Sequence, residues 1–315
     1  MSKARELASL GNAYSDGALS NRNWLINGDF SVWQRGNSHT TNGYGSVDRW
    51  SQHFDGTNQL TRITMNQTRA NEIKAACGHV PKYFVSFNVT SFGTYSGFRT
   101  RIEDIMKASG QTVTFSIVAA SEYGSILRPR IRIWNTSAGA SQDILANAVT
   151  TNTVMNRYEF TVTFADVFTV GATPDGTGFI EVELYTDRAG WHDYACFQLE
   201  VGDTATPFEH RSYGQELALC QRYYYKTPNI SYDYPAFHYG TLAITGIPLP
   251  VVMRANPTVV DTTTSVYYEQ GTSYSYTPST PNGYQHMVGL RGTVGGGTSG
   301  YAGTFYPTFT ADAEL

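Results

Sequence analysis

Paired carboxylates are the side chains of this sequence that come nearest to catalytic chemistry. Glu181 and Glu183 alternate with apolar residues, so both are expected on the polar face of one β-strand. Glu103 and Asp104 are adjacent. Hydrolysis of a glycosidic bond needs two carboxyl groups facing across a cleft, about 5 Å apart for retention or roughly 6.5–9.5 Å for inversion. Two glutamates on a solvated strand face satisfy this only by accident, so we predict that the chain is not an enzyme.

The other residue types that carry catalysis or bind metals show no recognisable spacing. The seven histidines form no HxH or HExxH motif, and no GxSxG motif is present. The three cysteines, Cys77, Cys196 and Cys220, form no CxxC pair and are predicted to be reduced thiols. We therefore predict no catalytic residue, and we place the histidines on the surface or on strands.

Tyrosine is the residue type with the clearest binding chemistry. The last 93 residues hold 13 of the 22 tyrosines and eight charged residues. Aromatic rings bind the apolar faces of sugars, and Tyr with Ser and Gly in loops is the composition of antibody-type binding sites. We predict a loop at Gly271–Tyr284 and five ligand-binding tyrosines in or beside it, namely Tyr267, Tyr268, Tyr274, Tyr276 and Tyr284. The alternative is that many of these rings fill the core of a small trimeric domain.

Alternating patterns predict the elements that position these residues. Between Trp24 and Val201, apolar and polar residues alternate in segments that include 85–89, 113–117, 160–164 and 180–184. This period is typical of antiparallel sheets with one solvated face, and Asn-Gly and Asp-Gly turn signals separate the strands. The predicted fold is mostly β: an antiparallel β-sandwich (jelly roll), then a connector helix and a small β-rich C-terminal domain.

The connector helix has the strongest local signal. Ser212 and Gln215 form a capping box, and Tyr213, Leu217, Cys220 and Tyr224 follow as an apolar stripe. Beyond it, strands are predicted at 241–247, 257–262, 284–290 and 301–309. The predicted organisation is an N-terminal helix or linker for attachment or trimerisation (1–22), the jelly roll (23–210), the connector helix (211–226) and a Tyr-rich tip domain (227–315).

Composition excludes several kinds of partner. The formal net charge is −4 and no basic cluster is available to neutralise phosphates, so no nucleic acid partner is expected. No run approaches 18 apolar residues, which predicts no membrane insertion. The N-terminus has no apolar signal segment, so we expect synthesis in a cytoplasm without secretion.

Several longer motifs resemble a known family. Asn27–Gly36 (NGDFSVWQRG) and Val47–Trp50 are similar to the opening of a carbohydrate-binding-module-like jelly roll found in phage and prophage tail proteins. Motifs similar to the end of that domain and to the small tip domain after it are Gln198–Gly202, Ala205–Glu209, Tyr213–Tyr225, Ile247–Val259 and Thr310–Leu315. The resemblance implies a homotrimeric tail fibre subunit of a phage virion, without catalysis.

The same resemblance implies partners and a location. The N-terminus is expected to dock on other tail or head proteins of the virion, and the C-terminal end to recognise a host cell-surface glycan or protein during adsorption. Release from the host cytoplasm by lysis agrees with the missing signal segment. The alternatives are a purely structural virion protein (a capsid decoration or a fibre scaffold) and a polysaccharide depolymerase.

The resemblance also implies a candidate structural calcium site, and no other cofactor is expected. In related modules the ion lies between the NGDF-type segment and an acidic residue of the last strand. Asn27 and Asp29 match the first part, and Asp193 is the nearest acid to the second. Calcium prefers six to eight oxygen ligands. The alternative is that Asp29 caps a turn.

Overall fold

The computed structural model describes residues 21–135, 139–167, 178–228, 234–262 and 266–315. It divides the chain into two compact units, Met1–Ser212 and Tyr213–Leu315. The helix that follows Ser212 therefore belongs to the second unit. The domain boundaries predicted at residues 22, 210 and 226 stay predictions. The N-terminal helix or linker predicted at 1–22 falls almost entirely outside the described residues.

The N-terminal unit is an antiparallel β-sandwich, which confirms the predicted fold class. Its described elements in chain order are β1 (Ser38–His39), β2 (Ser51–Phe54), β3 (Thr57–Thr64), α1 (Gln67–Cys77), β4 (Tyr83–Ser91), β5 (Ser96–Glu103), a 3-10 turn (Ile105–Ala108), β6 (Thr112–Ser121), β7 (Ile126–Asn135), β8 (Gly139–Leu145), β9 (Val149–Thr150), β10 (Asn156–Thr163), β11 (Phe179–Thr186) and β12 (Gly190–Val201). Among these strands the order is β1-β3-β4-β12-β6-β10 in the back sheet and β2-β5-β11-β7-β8 in the front sheet, where β9 pairs with β7.

Aromatic rings fill the space between the two sheets. Trp50 stacks on Phe98 with ring centroids 4.9 Å apart, and Phe197 meets Trp50 edge-on at 5.3 Å. Phe30 lies edge-on to both Trp50 and Phe197 and is completely buried. The NGDF motif therefore supplies a core residue, because its Phe30 ring closes one part of the sandwich.

The NGDF turn fits closely against β12. A Cβ on Gly28 would lie 2.2 Å from the Phe197 carbonyl oxygen, so this position requires glycine. Asn27 donates from Nδ2 to the carbonyls of Val32 and Asp48 and accepts the Val32 N–H at 3.0 Å. The motif is thus explained by local packing and backbone hydrogen bonds.

The prediction of one solvated face per strand is wrong for β6 and β12 of the back sheet, which are buried on both faces. On β6, Val118 and Ala120 pack under Ile73 and Cys77 of α1. This helix was not predicted from the sequence. The side chain of its N-cap Asn66 accepts the Arg69 N–H, and Gly78 ends it at a φ of 78°.

The C-terminal unit combines a short helix with a closed barrel. Its described elements are α2 (Tyr213–Gln221), β13 (Tyr224–Lys226), β14 (Tyr234–Tyr239), β15 (Leu242–Pro248), β16 (Thr258–Asp261), β17 (Val266–Glu269), β18 (Thr272–Pro278), β19 (Asn282–Tyr284), β20 (Met287–Val294), β21 (Ala302–Phe305) and β22 (Phe309–Asp312). Of these strands, β15, β14, β21, β17, β18 and β20 form a ring, because β20 also pairs with β15. The predicted helix is confirmed over Tyr213–Gln221, but the prediction that it continues to 226 is wrong, because Tyr224 lies on β13. The predicted loop at Gly271–Tyr284 is wrong over Thr272–Pro278, which pairs with β17 and β20 in the barrel wall, and over Asn282–Tyr284, which pairs with β20.

Candidate functional site

The five predicted tyrosines occupy different environments. Tyr267 is completely buried in the barrel, where its hydroxyl donates to Glu269 Oε2 at 3.1 Å. Tyr276 is also buried, lies edge-on to Phe305 and donates to Asp261 Oδ2. These two rings form part of the core of one chain, so they present no surface to a ligand.

The other three tyrosines reach the surface to different degrees. Tyr268 and Tyr274 are half-buried. Tyr284 is 47% exposed and belongs to the short β19. The five rings therefore do not form one binding surface, although a ligand role for the three accessible ones stays a prediction.

The predicted calcium ligands are engaged elsewhere. Both ends of the Asn27 amide bond backbone groups. Asp193 Oδ2 accepts from Arg69 Nη2 at 2.9 Å, and burial raises the pKa of this carboxyl despite the arginine. Asp29 Oδ1 accepts the Ser31 N–H, which matches the turn-capping alternative. Calcium needs more oxygen ligands than this arrangement offers, so these residues do not fit a calcium site.

Two imidazoles lie close to Asp29 instead. His79 Nε2 is 3.9 Å and His210 Nδ1 is 4.0 Å from Asp29 Oδ2. The two rings stack with centroids 4.4 Å apart, and Phe208 also stacks on His79 with centroids 5.4 Å apart. Burial lowers the pKa of His79, and His210 lowers it further against the opposing effect of Asp29. His79 is therefore neutral near pH 7.

A charged network covers the outer face of the front sheet. Register places Glu181 between Arg101 of β5 and Arg132 of β7, and Glu183 between Arg99 and Arg130. Both glutamate side chains are 0% exposed because the long arginine side chains lie over them. The prediction that these glutamates lie on a solvated face is therefore wrong.

The two glutamates have opposite protonation preferences. Glu181 forms ion pairs with three arginines. Its Oε2 lies 3.1 Å from Arg101 Nε and 3.4 Å from Arg99 Nη1, and its Oε1 contacts Arg132. Burial opposes its ionisation, but these arginine charges outweigh burial and lower the pKa of Glu181.

Glu183 has fewer partners. It accepts from Arg132 Nη2 at 3.1 Å, and its Oε1 has no hydrogen-bond partner in the described part of the chain. Burial, reinforced by the Glu181 charge, raises the pKa of Glu183. An acid and a base of this kind could serve hydrolysis. The covering arginines nevertheless keep a substrate from both carboxyls.

A cavity of about 710 Å³ opens beside this network, and we call it the groove. Its lining includes the aromatic rings of Phe92, Tyr95 and Tyr185. Polar groups come from Arg128 and Arg130 of β7 and from Asp143 of β8. This combination of apolar surface with a few placed polar groups is typical of small-molecule sites.

Neighbouring elements hold the aromatic walls of the groove in place. Asp55 accepts the backbone N–H groups of Thr94 and Tyr95, which fixes the turn between β4 and β5. The Tyr95 ring lies 4.8 Å from the His53 ring. Tyr185 accepts from Arg130 Nη1 at 3.0 Å, and burial together with the Glu183 charge raises the pKa of Tyr185 to about 12. Its hydroxyl is therefore protonated at neutral pH.

The two arginines of the groove differ in their availability. Arg130 forms a bidentate pair with Asp143, with an Nε–Oδ1 distance of 2.7 Å. This pairing lowers the pKa of Asp143. Arg128 is exposed and forms no ion pair with another described residue. It can therefore donate hydrogen bonds to a hydroxyl or a carboxylate of a ligand.

Sequence reasoning missed this site. Arg128, Arg130 and Arg132 alternate with other residues in the sequence, which puts them on one strand face but gives no indication that β11 lies beside β7. The sequence signal that could have indicated the site is the opposite charge of these three arginines and the two glutamates Glu181 and Glu183.

No protein-family model and no curated protein sequence matches the chain. Among solved structures, the enzymatically active domain of tailspike protein 4 of bacteriophage CBA120 is 13% identical with a TM-score of 0.36, over 57% of this chain and 22% of that one. TmCBM61, solved with beta-1,4-galactotriose, is 13% identical with a TM-score of 0.34, over 58% of this chain and 100% of its own. The CBM22-1 xylan-binding domain of Xyn10C from Paenibacillus barcinonensis is 11% identical with a TM-score of 0.34, over 53% of this chain and 94% of its own. Similarities this low concern the fold alone.

Proposed function

We propose that this chain is a non-catalytic, glycan-binding subunit of a phage virion appendage, and that the groove of the N-terminal unit binds the sugar. The observation that carries the proposal is the lining of the groove, where Tyr95 and Tyr185 supply ring surface and Arg128 an available donor. Tyrosine adds a large contact area at low conformational cost. Arginine recognises carboxylates and hydroxyls through its planar donors. A bacterial surface glycan that carries an acidic sugar offers complementary groups.

The state of the two glutamates supports binding rather than hydrolysis. Glycoside hydrolysis requires that one carboxyl reaches the glycosidic oxygen and the other reaches the anomeric carbon or a water molecule. Glu181 and Glu183 are both fully covered, and Glu181 is held by three arginines. We therefore assign them to supporting the sheet face beside the groove.

The virion role rests on the motifs at Asn27–Gly36 and Tyr213–Tyr225, which resemble tail proteins of phages. In this proposal the chain forms a homotrimer, the N-terminal segment docks on other virion proteins, and the groove contacts the host cell surface. Light scattering of the purified chain should give three times 34.8 kDa. A well-folded monomer would instead favour a decoration protein or a single-chain binding module.

The experiment that tests glycan binding is an array of bacterial surface polysaccharides probed with the purified chain. Tyr185→Ala should reduce binding about five- to thirtyfold, because a central aromatic contact is worth about 1–2 kcal/mol. Tyr185→Phe keeps the ring and should retain most of the binding signal. Arg128→Ala should weaken the binding of acidic glycans more than that of neutral ones.

Tyr123→Ala is the matched control, since Tyr123 is a 65% exposed tyrosine of the same unit. Equal binding by wild type and Tyr185→Ala would show that the groove is not the glycan-binding site. Release of reducing sugar from a bound polysaccharide would point to a depolymerase, and absence of binding to any glycan would favour a purely structural virion protein.

A further inference from the structure

Three potential metal ligands of the N-terminal unit converge from distant parts of its chain. They are Asp29 Oδ2 in the NGDF turn, His79 Nε2 just after α1, and His210 Nδ1 near the end of the unit. One ligand atom from each of the three residues lies within 4.8 Å of the ligand atoms of the other two.

The cluster contains ligand atoms that are available to coordinate a metal ion. His79 Nε2 is buried and has no hydrogen-bond partner among the described residues. Asp29 uses Oδ1 for the Ser31 N–H, while its Oδ2 lies near the two rings. Phe208 and His210 both stack on the ring of His79 and restrict its orientation. A buried nitrogen of this kind needs a partner, and a cation held jointly with the carboxylate would supply one.

We infer that Asp29, His79 and His210 bind one zinc ion per chain. Two imidazole nitrogens and one carboxylate oxygen form a donor set that suits zinc, with a solvent molecule as the fourth ligand. The same donor set is a poor match for calcium, which prefers oxygen ligands alone. This region therefore suits a metal ion that accepts nitrogen ligands, and not the calcium ion that the resemblance implied for Asn27, Asp29 and Asp193.

The distances are compatible with this ion if the ligand side chains move closer together. Metal–ligand bonds of about 2.0–2.1 Å in a tetrahedral site place the ligand atoms roughly 3.4 Å apart. The observed separations of 3.9 and 4.0 Å to Asp29 Oδ2 require closure by about half an ångström. The ligand atoms of the cluster all lie within 4.8 Å of one another, so the two imidazole nitrogens have to approach each other by up to about 1.4 Å. His210 is 55% exposed, so its ring can turn out of its stacking contact with His79 and aim its nitrogen at the ion.

Binding would connect the NGDF turn, the end of α1 and the segment around His210. Since the three residues meet only in the folded unit, the ion binds the folded state and stabilises it by mass action. This role is independent of the groove and of glycan binding.

The test uses the full chain after treatment with a chelator, titrated with Zn²⁺ by calorimetry and with Co²⁺ by visible absorption. One equivalent of Zn²⁺ is expected, together with the intense absorption bands of low-symmetry Co²⁺. His210→Ala and Asp29→Asn should each weaken Zn²⁺ binding at least tenfold, and Ca²⁺ in millimolar excess should not compete. Asp29→Asn retains the acceptor for the Ser31 N–H, which protects the turn.

His286→Ala is the control, because His286 is an exposed histidine of the C-terminal unit. It should bind Zn²⁺ as the wild type does, and Zn²⁺ should raise the melting temperature of wild type and His286→Ala but not of His210→Ala. Failure of the wild type to bind one Zn²⁺, or equal affinity in His210→Ala, would overturn the inference.

Discussion

The glutamate pair of β11 permits a sharp comparison, because two similar side chains on one strand are expected to respond differently to the same substitution. Glu181→Gln removes a charge that three arginines contact, and their side chains are 12–24% exposed. Breaking a buried ion pair costs about 3–5 kcal/mol, and the partial exposure of the arginines reduces this to about 2–4 kcal/mol. Glu183→Gln should cost less than about 1 kcal/mol, because Glu183 has one close arginine partner and burial already favours its neutral form.

Urea denaturation of the full chain measures this difference. All five tryptophans lie between Trp24 and Trp191, so their fluorescence reports the N-terminal unit. We expect Glu181→Gln to be less stable than Glu183→Gln by about 2 kcal/mol, which corresponds to roughly 4–8 °C in melting temperature. Equal losses in the two variants, or a larger loss in Glu183→Gln, would refute the assignment of the three arginines to Glu181.

Two further outcomes follow from the same structure. Because the pKa of Glu183 is raised, the folded state binds the carboxyl proton of Glu183 more tightly than the unfolded chain does. The contribution of Glu183 to stability therefore falls as the pH rises from about 4.5 through the raised pKa. The stability of Glu183→Gln relative to wild type should therefore increase over that range, and parallel pH curves would contradict this. Tyr267→Ala should destabilise the barrel by about 3–5 kcal/mol while Tyr284→Ala changes it by less than about 0.5 kcal/mol, as followed by hydrogen exchange of β20. Similar exchange in both variants would contradict the core position of Tyr267.

Local patterns were sufficient to predict much of the fold. The alternation at 113–117 and 180–184 marks β6 and β11, and the capping box at Ser212 marks the start of α2. In each case the signal lies within about ten residues. The helix α1 was missed because its sequence, QTRANEIKAAC, contains one large aliphatic residue, Ile73, and buries just Ile73 and Cys77.

Long-range pairing accounts for what the sequence could not predict. The barrel closes through β15 and β20, whose partners Leu242 and Thr293 are far apart in the chain. That closure moves Tyr267 and Tyr276 from the predicted binding surface into a core. The groove likewise depends on the order of the front-sheet strands, because Tyr95, Tyr185 and Asp143 come together only through that order.

Glycan binding in the groove is the central claim, and hydrogen–deuterium exchange with the strongest-binding oligosaccharide from the array tests it most directly. If the groove is the site, the sugar should protect residues 92–95, 126–130 and 143–145, which line or adjoin it, and leave the barrel unchanged. Protection confined to residues 267–284 of the C-terminal unit would contradict the claim and move the binding site to the accessible tyrosines there.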